Sequence, residues 1–296
     1  MKDVMLSTRA KAAVRLALDE DLADAADARK ASWCDATSEA LVDPEAVATG
    51  EIYSKGTGCV VAGATVAKAV FKAVDPKIKV TILKPDGSVV KPKEPILVFR
   101  GKARSILAAE RTALNFMQRM SATATLAKKF VDATKQYGTL ILDTRKTTPG
   151  LRVFEKYAVT CGGGKNHRMG MYDRVLMKDN HRRLWKGGNP DELDQAVVAA
   201  RKAFPKLAVE VEVESLRECA SALKARPEWI MLDNMSCADM KKCVKMCKGI
   251  SKTEASGGIT LDRAKEVAAT GVTAISLGCL THSVGSIDLS LEWRAV

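Results

Sequence analysis

Aromatic residues are scarce in this chain and make up 5% of its 296 residues. Proteins that bind single-stranded nucleic acid commonly stack bases on aromatic side chains, so this composition argues against that class. The sequence also lacks a Walker phosphate loop, a dinucleotide-binding glycine fingerprint and an internal repeat. These absences argue against P-loop nucleotide hydrolases, Rossmann-type dehydrogenases and repeat proteins.

Long apolar runs are also missing. No run approaches the length that spans a membrane, and the first residues lack the apolar core of a secretory signal. Five acidic residues lie between Asp19 and Asp27, whereas transit peptides are poor in acids. We therefore expect a soluble, cytoplasmic protein that does not act at a membrane.

The eight cysteines contain no CxxC pair. Cys237, Cys243 and Cys247 lie close together in a predicted helix, but neither a histidine nor a fourth ligand is near them in sequence. Structural zinc sites need four such ligands. The pattern therefore favours reduced thiols packed inside a cytosolic protein.

Positive charge is abundant, with a formal net charge of +12. Much of the excess lies between Arg145 and Lys186, where eleven Lys or Arg face three Asp or Glu. Such a block can form a nucleic-acid surface, a cleft for a small polyanion, or a solvated basic face. Gly162–Gly164 and apolar runs interrupt the block, so it does not have the pattern of a disordered tail.

The first 115 residues predict a separate N-terminal domain. A helical pattern covers 10–22, and short strand-like runs follow, separated by Gly and Pro turns. Residues 105–137 have helical periodicity and predict two helices that meet near Met120 and Ser121. The strand-like runs are Val47–Ser54, Ile78–Leu83 and Ile96–Arg100.

From residue 139 onward, short apolar runs alternate with helical patterns. Strands that alternate with helices predict right-handed βαβ units and a parallel sheet. About six such units without a dinucleotide fingerprint favour an α/β barrel over residues 116–283, with the tail 284–296 packing on the first domain. The predicted strands are Thr139–Asp143, Arg174–Lys178, Leu207–Val213, Trp229–Asp233, Ser251–Ala255 and Thr273–Leu277.

Polar residues collect where these predicted strands end. In an α/β barrel, the ends of the strands and the following loops carry the functional groups. Glu210, Glu212 and Glu214 alternate with valines, so all three face one side of their strand. Carboxylates directed into a barrel are unfavourable unless they meet cations or a metal. The other polar strand ends are Thr144–Lys146, Lys178–Asn180, Asp233–Asn234, Ser256–Gly258 and Gly278.

These residue types indicate a cleft for a phosphorylated, anionic sugar and a carboxylated partner. Arginines and lysines bind carboxylates and phosphates, and the arginine fork does so with two parallel bonds. Glu212 and Asp233 would repel an anion unless they bind sugar hydroxyls or a divalent cation, and Mg²⁺ commonly bridges carboxylates and diphosphate. Exposed backbone N–H groups near the last two strands favour a phosphate. The predicted cations are Arg145, Lys146, Arg168 and Lys178, and the predicted phosphate contacts are Ser256, Gly257, Gly258 and Gly278.

Several motifs in the same places resemble the quinolinate phosphoribosyltransferase family. The likeness runs from about Leu41 to the C-terminus. Two features depart from the family: the segment Ala23–Cys34 is longer than expected, and Ser121-Ala122 stands where the family usually has Ser-Gly. The motifs that carry the resemblance are Glu110–Asn115, Asp143–Arg152, Gly162–Gly164, Asn166–Arg168, Lys178–His181, Glu210–Glu214, Leu232–Asn234, Ser256–Gly258 and Thr281–Ser283.

The resemblance implies an N-terminal α/β sandwich domain, an open and roughly six-stranded parallel α/β barrel, and a homodimer or a multiple of dimers. It implies decarboxylating transfer of a phosphoribosyl group from phosphoribosyl pyrophosphate to quinolinate, a step in the biosynthesis of NAD. Arg111 would then reach the partner subunit's site.

The resemblance also implies a role for each candidate residue. Quinolinate would contact Thr144, Arg145, His167, Arg168 and Lys178. Phosphoribosyl pyrophosphate and Mg²⁺ would be held by Lys146, Lys178, Glu212 and Asp233. The 5′-phosphate would contact Ser256–Gly258 and Gly278. His282, near the last strand end, is a further substrate contact, although local packing would explain it equally well.

Three other functions remain open from the sequence. A Schiff-base aldolase would use Lys178 as its nucleophile. An RNA-binding protein would account for the basic block, but the sequence lacks interleaved aromatics there. A nicotinate-using relative would share the barrel and bind one carboxylate, so it would need fewer arginines than the three available here.

Overall fold

The computed structural model describes residues 4–23, 33–185, 187–189 and 191–295. Most of the segment Ala23–Cys34, namely 24–32, lies outside the described residues, so its role stays open. The chain divides into two compact units. The first comprises residues 1–128, 147–163 and 280–296, and the second comprises 129–146 and 164–279.

The first unit combines helices with a small antiparallel sheet. Its sheet has the order β12-β1-β5-β3, and β2 pairs with β4 in a separate two-stranded ribbon. The strands are β1 (Val47–Ser54), β2 (Cys59–Val60), β3 (Lys79–Ile82), β4 (Val89–Val90), β5 (Pro95–Lys102) and β12 (Leu289–Ala295). The helices are α1 (Thr8–Leu22), α2 (Ala36–Leu41), α3 (Ala64–Val74), α4 (Ala103–Thr134), which continues into the second unit, and α5 (Arg152–Cys161).

One apolar core stabilises the first unit. Leu18 of α1, Phe71 of α3 and Phe99 of β5 are buried in it, and the rings of Phe71 and Phe99 stack with centroids 5.4 Å apart. Removing side chains of this size from water provides most of the free energy that holds such a unit together. Strand β12 completes the sheet, since it pairs with β1 along seven residue pairs.

The helix α4 corrects one sequence-based expectation. The two helices predicted to meet near Met120 and Ser121 are one continuous helix, which extends over 32 residues. Met120 and Ser121, where the junction was predicted, are both buried within it. The Ser121 hydroxyl donates to the Ala62 carbonyl and accepts from the Ala62 N–H, at 3.1 Å in each case. A tertiary contact, which the local pattern does not encode, therefore satisfies this residue without ending the helix.

The second unit is built on a six-stranded parallel sheet of order β6-β11-β10-β9-β8-β7. This architecture confirms the predicted α/β fold class; β6 and β7 are the two outermost strands, and Lys165 bridges the outer side of β6. The strands are β6 (Leu140–Leu142), β7 (Val175–Met177), β8 (Val209–Val213), β9 (Trp229–Asp233), β10 (Lys252–Ser256) and β11 (Ala274–Ser276). The helices are α6 (Asp179–Leu184), α7 (Leu193–Ala203), α8 (Leu216–Leu223), α9 (Cys237–Cys247) and α10 (Leu261–Ala268), and the short helix α11 (Cys279–His282) begins at the last residue of this unit and continues into the first.

Strand β8 is buried at all five positions, although its sequence alternates valine with glutamate. Parallel sheets of this kind are covered on both faces, so the glutamates of β8 cannot point to solvent. Each of them needs a cationic or hydrogen-bonding partner inside the unit. The third glutamate of the series, Glu214, lies beyond the strand and is exposed.

No helix in the described ranges is both long enough and apolar enough to cross a membrane.

Candidate active site

The candidate site lies at one edge of the parallel sheet. Because all six strands run in the same direction, their carboxyl ends share that edge. The structure brings the predicted strand-end residues of the second unit to it. Thr144, Arg145 and Lys146 follow β6; Lys178 follows β7; Glu212 lies near the end of β8; Asp233 ends β9; Ser256 ends β10 and precedes Gly257 and Gly258; and Gly278 follows β11.

The buried carboxylate of Asp143 organises the loop that carries two of these residues. It accepts from the His167 N–H at 2.9 Å and from the Asn166 side-chain amide at 2.5 Å. Asp143 directly follows β6 and is fully buried. Two hydrogen bonds to one buried carboxylate therefore fix the loop that precedes Arg168 against the end of β6.

Arg145 and Arg168 are close enough to influence each other electrostatically. Burial lowers the pKa of Arg168, and the charge of Arg145 lowers it further. The Arg168 guanidinium is half-buried and donates to the Arg174 carbonyl at 3.0 Å. Two guanidinium groups that repel each other at the mouth of the sheet form a favourable place for an anion, because a carboxylate between them removes the repulsion.

Lys178 and Glu212 form an ion pair across strands β7 and β8. The Glu212 side chain is 8% exposed, whereas 45% of the Lys178 side chain is exposed. The pair thus gives Glu212 the cationic partner that its burial demands, and it leaves part of the lysine facing solvent. The backbone N–H of Lys178 also donates to Nδ1 of His181 at 3.1 Å.

The turns after β9 and β10 fit each other closely. Asn234 donates its side-chain amide to Asp233 at 2.9 Å and its backbone N–H to the Ser256 carbonyl at 3.0 Å. Gly257 has a φ of +94°, and a Cβ there would lie 2.1 Å from Asn234 Oδ1. Only glycine satisfies both the backbone conformation and the contact, so Gly257 is required for this edge of the site.

Glu212 and Asp233 are the two residues that the sequence predicts to hold a magnesium ion. Their carboxylates occupy neighbouring strands at the carboxyl edge, with Asp233 half-buried and Glu212 mostly buried. Mg²⁺ prefers a small number of carboxylate oxygens together with water and phosphate oxygens. The donor set therefore suits that ion, with the Lys178 ion pair in position to adjust when an anion arrives.

A second polar cluster lies deeper in the same unit and is formed by His167, Glu210, Glu254 and Arg174. Both glutamates are fully buried. The His167 Nε2 lies 3.1 Å from Glu210 Oε2 and 3.4 Å from Glu254 Oε2. Arg174 Nη1 lies 3.0 Å from Glu210 Oε2.

The two glutamates of this cluster titrate in opposite directions. Burial, and then the charge of Glu210, raise the pKa of Glu254 well above its usual value. Burial also opposes ionisation of Glu210, but the ring of His167 and the guanidinium of Arg174 together hold its pKa below the usual value. These opposite directions favour the ionised form of Glu210 and the neutral acid form of Glu254.

The cluster does not fit a metal ion in this arrangement, although its three ligand types are suitable. The Nδ1 atom of His167 accepts from the Arg168 N–H at 2.7 Å. In a neutral imidazole the other nitrogen, Nε2, then carries the proton and has no lone pair to offer a metal.

Sequence reasoning predicted a site role for Glu212, but it did not single out Glu254, Arg174 or the organising role of Asp143. Glu254 had one available signal: it is a single acid inside a predicted core strand, where an unpaired charge is unfavourable. Arg174 and Asp143 gave no comparable signal, because their partners come from distant parts of the chain.

Two predicted site residues belong to the first unit. Arg111 is exposed on α4, and His282 is exposed at the end of α11, where its Nδ1 lies 2.5 Å from the Ser283 hydroxyl oxygen. The predicted roles of both residues, and the substrate contacts predicted for His167, stay predictions.

Comparison with known families covers most of the chain. Residues 35–121 match the family "Quinolinate phosphoribosyl transferase, N-terminal domain", and residues 123–292 match "Quinolinate phosphoribosyl transferase, C-terminal domain". A nicotinate-nucleotide pyrophosphorylase (carboxylating), chloroplastic, from Oryza sativa subsp. japonica is 41% identical over 300 residues, covering 95% of this chain and 77% of the relative. A probable nicotinate-nucleotide pyrophosphorylase (carboxylating) from Bacillus subtilis is 39% identical over 259 residues, covering 87% of each.

The fold is likewise similar to solved structures. The nicotinate-nucleotide pyrophosphorylase from Francisella tularensis superimposes with a TM-score of 0.88 at 38% sequence identity. The match covers 97% of this chain and 96% of that one.

Proposed function

Since the chain belongs to the quinolinate phosphoribosyltransferase family, we propose that it transfers a phosphoribosyl group from phosphoribosyl pyrophosphate to quinolinate. The reaction depends on Mg²⁺, releases pyrophosphate and carbon dioxide, and forms nicotinate mononucleotide for NAD biosynthesis. The observation that carries the proposal is the joint presence of Arg145, Arg168, Lys178, Glu212 and Asp233 at one edge of the parallel sheet. Its cations suit two carboxylates, and its carboxylates suit a magnesium-bound diphosphate.

Quinolinate binds through its two carboxylates. Arg145 and Arg168 receive them, because their guanidinium groups already repel each other and gain most from an intervening anion. Thr144 adds a hydroxyl at the start of the same loop, where its Oγ1 accepts from the Lys146 N–H at 3.0 Å. A substrate with a single carboxylate, such as nicotinate, leaves one guanidinium without a partner and binds more weakly.

Phosphoribosyl pyrophosphate binds beside quinolinate. Lys146 and Lys178 donate to its diphosphate, while Glu212 and Asp233 hold Mg²⁺, partly through water. When bound, Mg²⁺ neutralises charge on the departing pyrophosphate. The exposed part of Lys178 serves this contact while its ion pair with Glu212 rearranges.

The 5′-phosphate occupies the turns after β10 and β11. Ser256 offers a hydroxyl, and Gly257, Gly258 and Gly278 allow the backbone to approach an anion closely. Gly257 and Gly258 have φ values of +94° and +57°. Consecutive residues of this kind turn their N–H groups toward one side, as in other anion-binding turns.

The chemistry proceeds in two steps, a transfer and a decarboxylation. The quinolinate ring nitrogen forms a bond to ribose C1′ as the bond from C1′ to pyrophosphate breaks. Lys146 and Lys178 stabilise the leaving group, and Glu212 or Asp233 stabilises the positive charge that develops on the sugar. The pyridinium then accepts the electrons of the carbon–carboxylate bond next to the nitrogen. Carbon dioxide leaves, and a proton takes its place on the ring carbon.

The proposal includes a homodimer, or a multiple of dimers, in which Arg111 of one subunit reaches the quinolinate of the other. Arg111 is exposed on α4, so it is available to a second copy. His282 adds a further substrate contact. We keep the cytoplasm as the proposed location, although the Oryza sativa relative is named chloroplastic.

The test measures nicotinate mononucleotide and carbon dioxide together, from quinolinate and phosphoribosyl pyrophosphate with and without Mg²⁺. Equal amounts of both products are expected, and a chelator should abolish them. Nicotinate in place of quinolinate should give little product. Failure of the folded protein to form either product contradicts the proposal, and borohydride trapping of Lys178 with carbonyl substrates would then examine the aldolase alternative.

A further inference from the structure

Glu254 is a buried acid to which the proposed reaction gives no role. It lies in the third position of β10, and its register partner on β9 is Met231. Its side chain has no solvent exposure, so it does not line the open mouth where the substrates enter. Its oxygen Oε2 nevertheless lies 3.4 Å from the His167 ring. Any effect of Glu254 on the reaction must therefore pass through another residue.

His167 is held at both of its ring nitrogens. On one side, Nδ1 accepts from the Arg168 N–H at 2.7 Å. On the other, Nε2 lies 3.1 Å from Glu210 and 3.4 Å from Glu254, which approach it from β8 and β10. Strand β9 lies between β8 and β10 in the sheet. The His167 ring therefore contacts side chains from two strands that are not adjacent. The arrangement selects one tautomer and one ring orientation.

We propose that Glu254 is a positioning residue: it fixes the His167 ring, and through that ring it sets the backbone of Arg168 for binding a quinolinate carboxylate. This inference rests on the proposed function, because quinolinate is the ligand that Arg168 would hold. Arg168 responds to the ring directly, since its own N–H is the donor to Nδ1.

Glu254 and Glu210 differ in their partners and in their favoured protonation state. Glu210 is also bound to Arg174, at 3.0 Å, so it has a charged partner apart from the histidine. Glu254 lies beside Ser276 and the Glu210 carboxyl, and burial together with the charge of Glu210 raises its pKa, which favours the neutral acid. A neutral acid can donate to Glu210 and accept from the Nε2–H at the same time. A glutamine at this position has nearly the same shape as the neutral acid, carries no charge, and can also both donate and accept a hydrogen bond.

Three variants separate positioning from general support of the fold. Glu254→Gln preserves the two hydrogen-bonding functions, whereas Glu254→Leu preserves approximate volume and removes both. Thr253→Val is the matched control, because Thr253 is the adjacent buried residue on the opposite face of β10 and exchanges hydrogen bonds of 3.2 Å with Thr273. All three are compared with wild type by thermal melting, so that loss of folded protein is recognised.

The kinetic experiment measures KM for each substrate separately. Glu254→Leu should raise KM for quinolinate by about tenfold, as expected for a misplaced charged hydrogen bond, and leave KM for phosphoribosyl pyrophosphate within about twofold. Glu254→Gln should restore the quinolinate KM to within about twofold of wild type. Thr253→Val should lower stability without changing either KM. In combination with His167→Gln, the Glu254→Leu change should have almost no added effect, because the two act in series.

Nuclear magnetic resonance gives a second readout that needs no substrate. The chain has three histidines, so ¹⁵N labelling of histidine gives few signals, and His167→Gln assigns the relevant one. Wild type and Glu254→Gln should show His167 as the Nε2–H tautomer. Glu254→Leu should shift its ring nitrogens and mix the tautomers.

The outcomes are distinct. A Glu254→Leu protein with wild-type His167 signals and an unchanged quinolinate KM overturns the inference. So does equal loss of affinity for both substrates, or a Gln variant as impaired as the Leu variant. If wild-type protein forms no product, the proposed function fails, whereas the resonance experiment still tests whether Glu254 fixes His167.

Discussion

The Nζ atom of Lys178 contacts Glu212 Oε2, although the two residues differ greatly in exposure. The carboxylate is enclosed by the sheet, and nearly half of the lysine side chain faces solvent. One cation therefore serves a buried carboxylate from one side and can meet an incoming anion from the other.

Replacing Lys178 with alanine should reduce product formation strongly. The variant loses a cation that stabilises the leaving pyrophosphate, and it leaves Glu212 without its ion-pair partner. We expect a decrease in kcat of about 10²- to 10³-fold. Lys252→Ala is the control, because Lys252 is the first residue of β10 and lies at the opposite end of the strand. Similar losses in both variants would show that the effect is not specific to the carboxyl edge.

Replacing Gly257 with alanine should damage both stability and phosphate binding. The new Cβ would lie 2.1 Å from Asn234 Oδ1 in a residue with a φ of +94°. The strain alone amounts to about 1–3 kcal/mol, and we expect KM for phosphoribosyl pyrophosphate to rise. Gly249→Ala shares the positive φ, at +75°, but its Cβ would meet nothing within 4 Å. Urea unfolding and KM measurements should therefore show a smaller loss of stability and no kinetic change in that control.

Complementation between two inactive variants tests the dimer. Arg111→Ala and Lys178→Ala should each be inactive, but each supplies what the other lacks. If Arg111 acts across a twofold interface, refolding the two together in equal amounts should restore about a quarter of wild-type activity, since half of the dimers are mixed and each has one intact site. Mixing without refolding is the control. No recovery, despite mixed dimers detected by mass spectrometry, would place Arg111 outside the partner's site.

The pH dependence of stability should change when Glu254 is replaced with glutamine. The folded-state pKa of Glu254 is raised above its ordinary value near 4.5, so the folded state binds more protons than the unfolded state. The stabilising contribution of this group is complete below the unfolded pKa and is lost as pH rises through the folded pKa. Glutamine does not titrate, so the Glu254→Gln variant does not lose this stability as pH rises. The urea midpoint of the variant should therefore increase relative to wild type as pH rises from about 4.5. A constant difference across the range would contradict the assigned pKa direction.

The sequence was informative where local pattern decides structure. Trp229–Asp233 and Val47–Ser54 were predicted with the bounds that the structure has, because runs rich in apolar and β-branched residues end at clear turn signals. The polar strand ends followed directly, since parallel strands place their carboxyl ends together. Family motifs then added roles that the pattern alone left open.

Tertiary contacts explain what the sequence did not reveal. A helix junction was predicted near Ser121. Its hydroxyl is instead bound to Ala62, and the local sequence does not reveal a partner so far away in the chain. Glu254 was overlooked because four of the five residues of Lys252–Ser256 are polar, so one further polar residue there did not stand out. The contact between Glu254 and His167 joins residues 87 positions apart, and nothing in either local pattern encodes it.

Strand β12 has a consequence for the way the protein is made. A ribosome releases β1, β5 and β3 long before residues 289–295 emerge, and β12 is the strand that pairs with the outer side of β1. Until then, the nascent chain carries β1 as an unprotected edge, which favours pairing with other chains. We therefore expect translation that stalls shortly before residue 289 to leave an aggregation-prone, chaperone-bound product. The antiparallel sheet of the first unit therefore begins to form early in synthesis and is completed only when the last strand, β12, has been made.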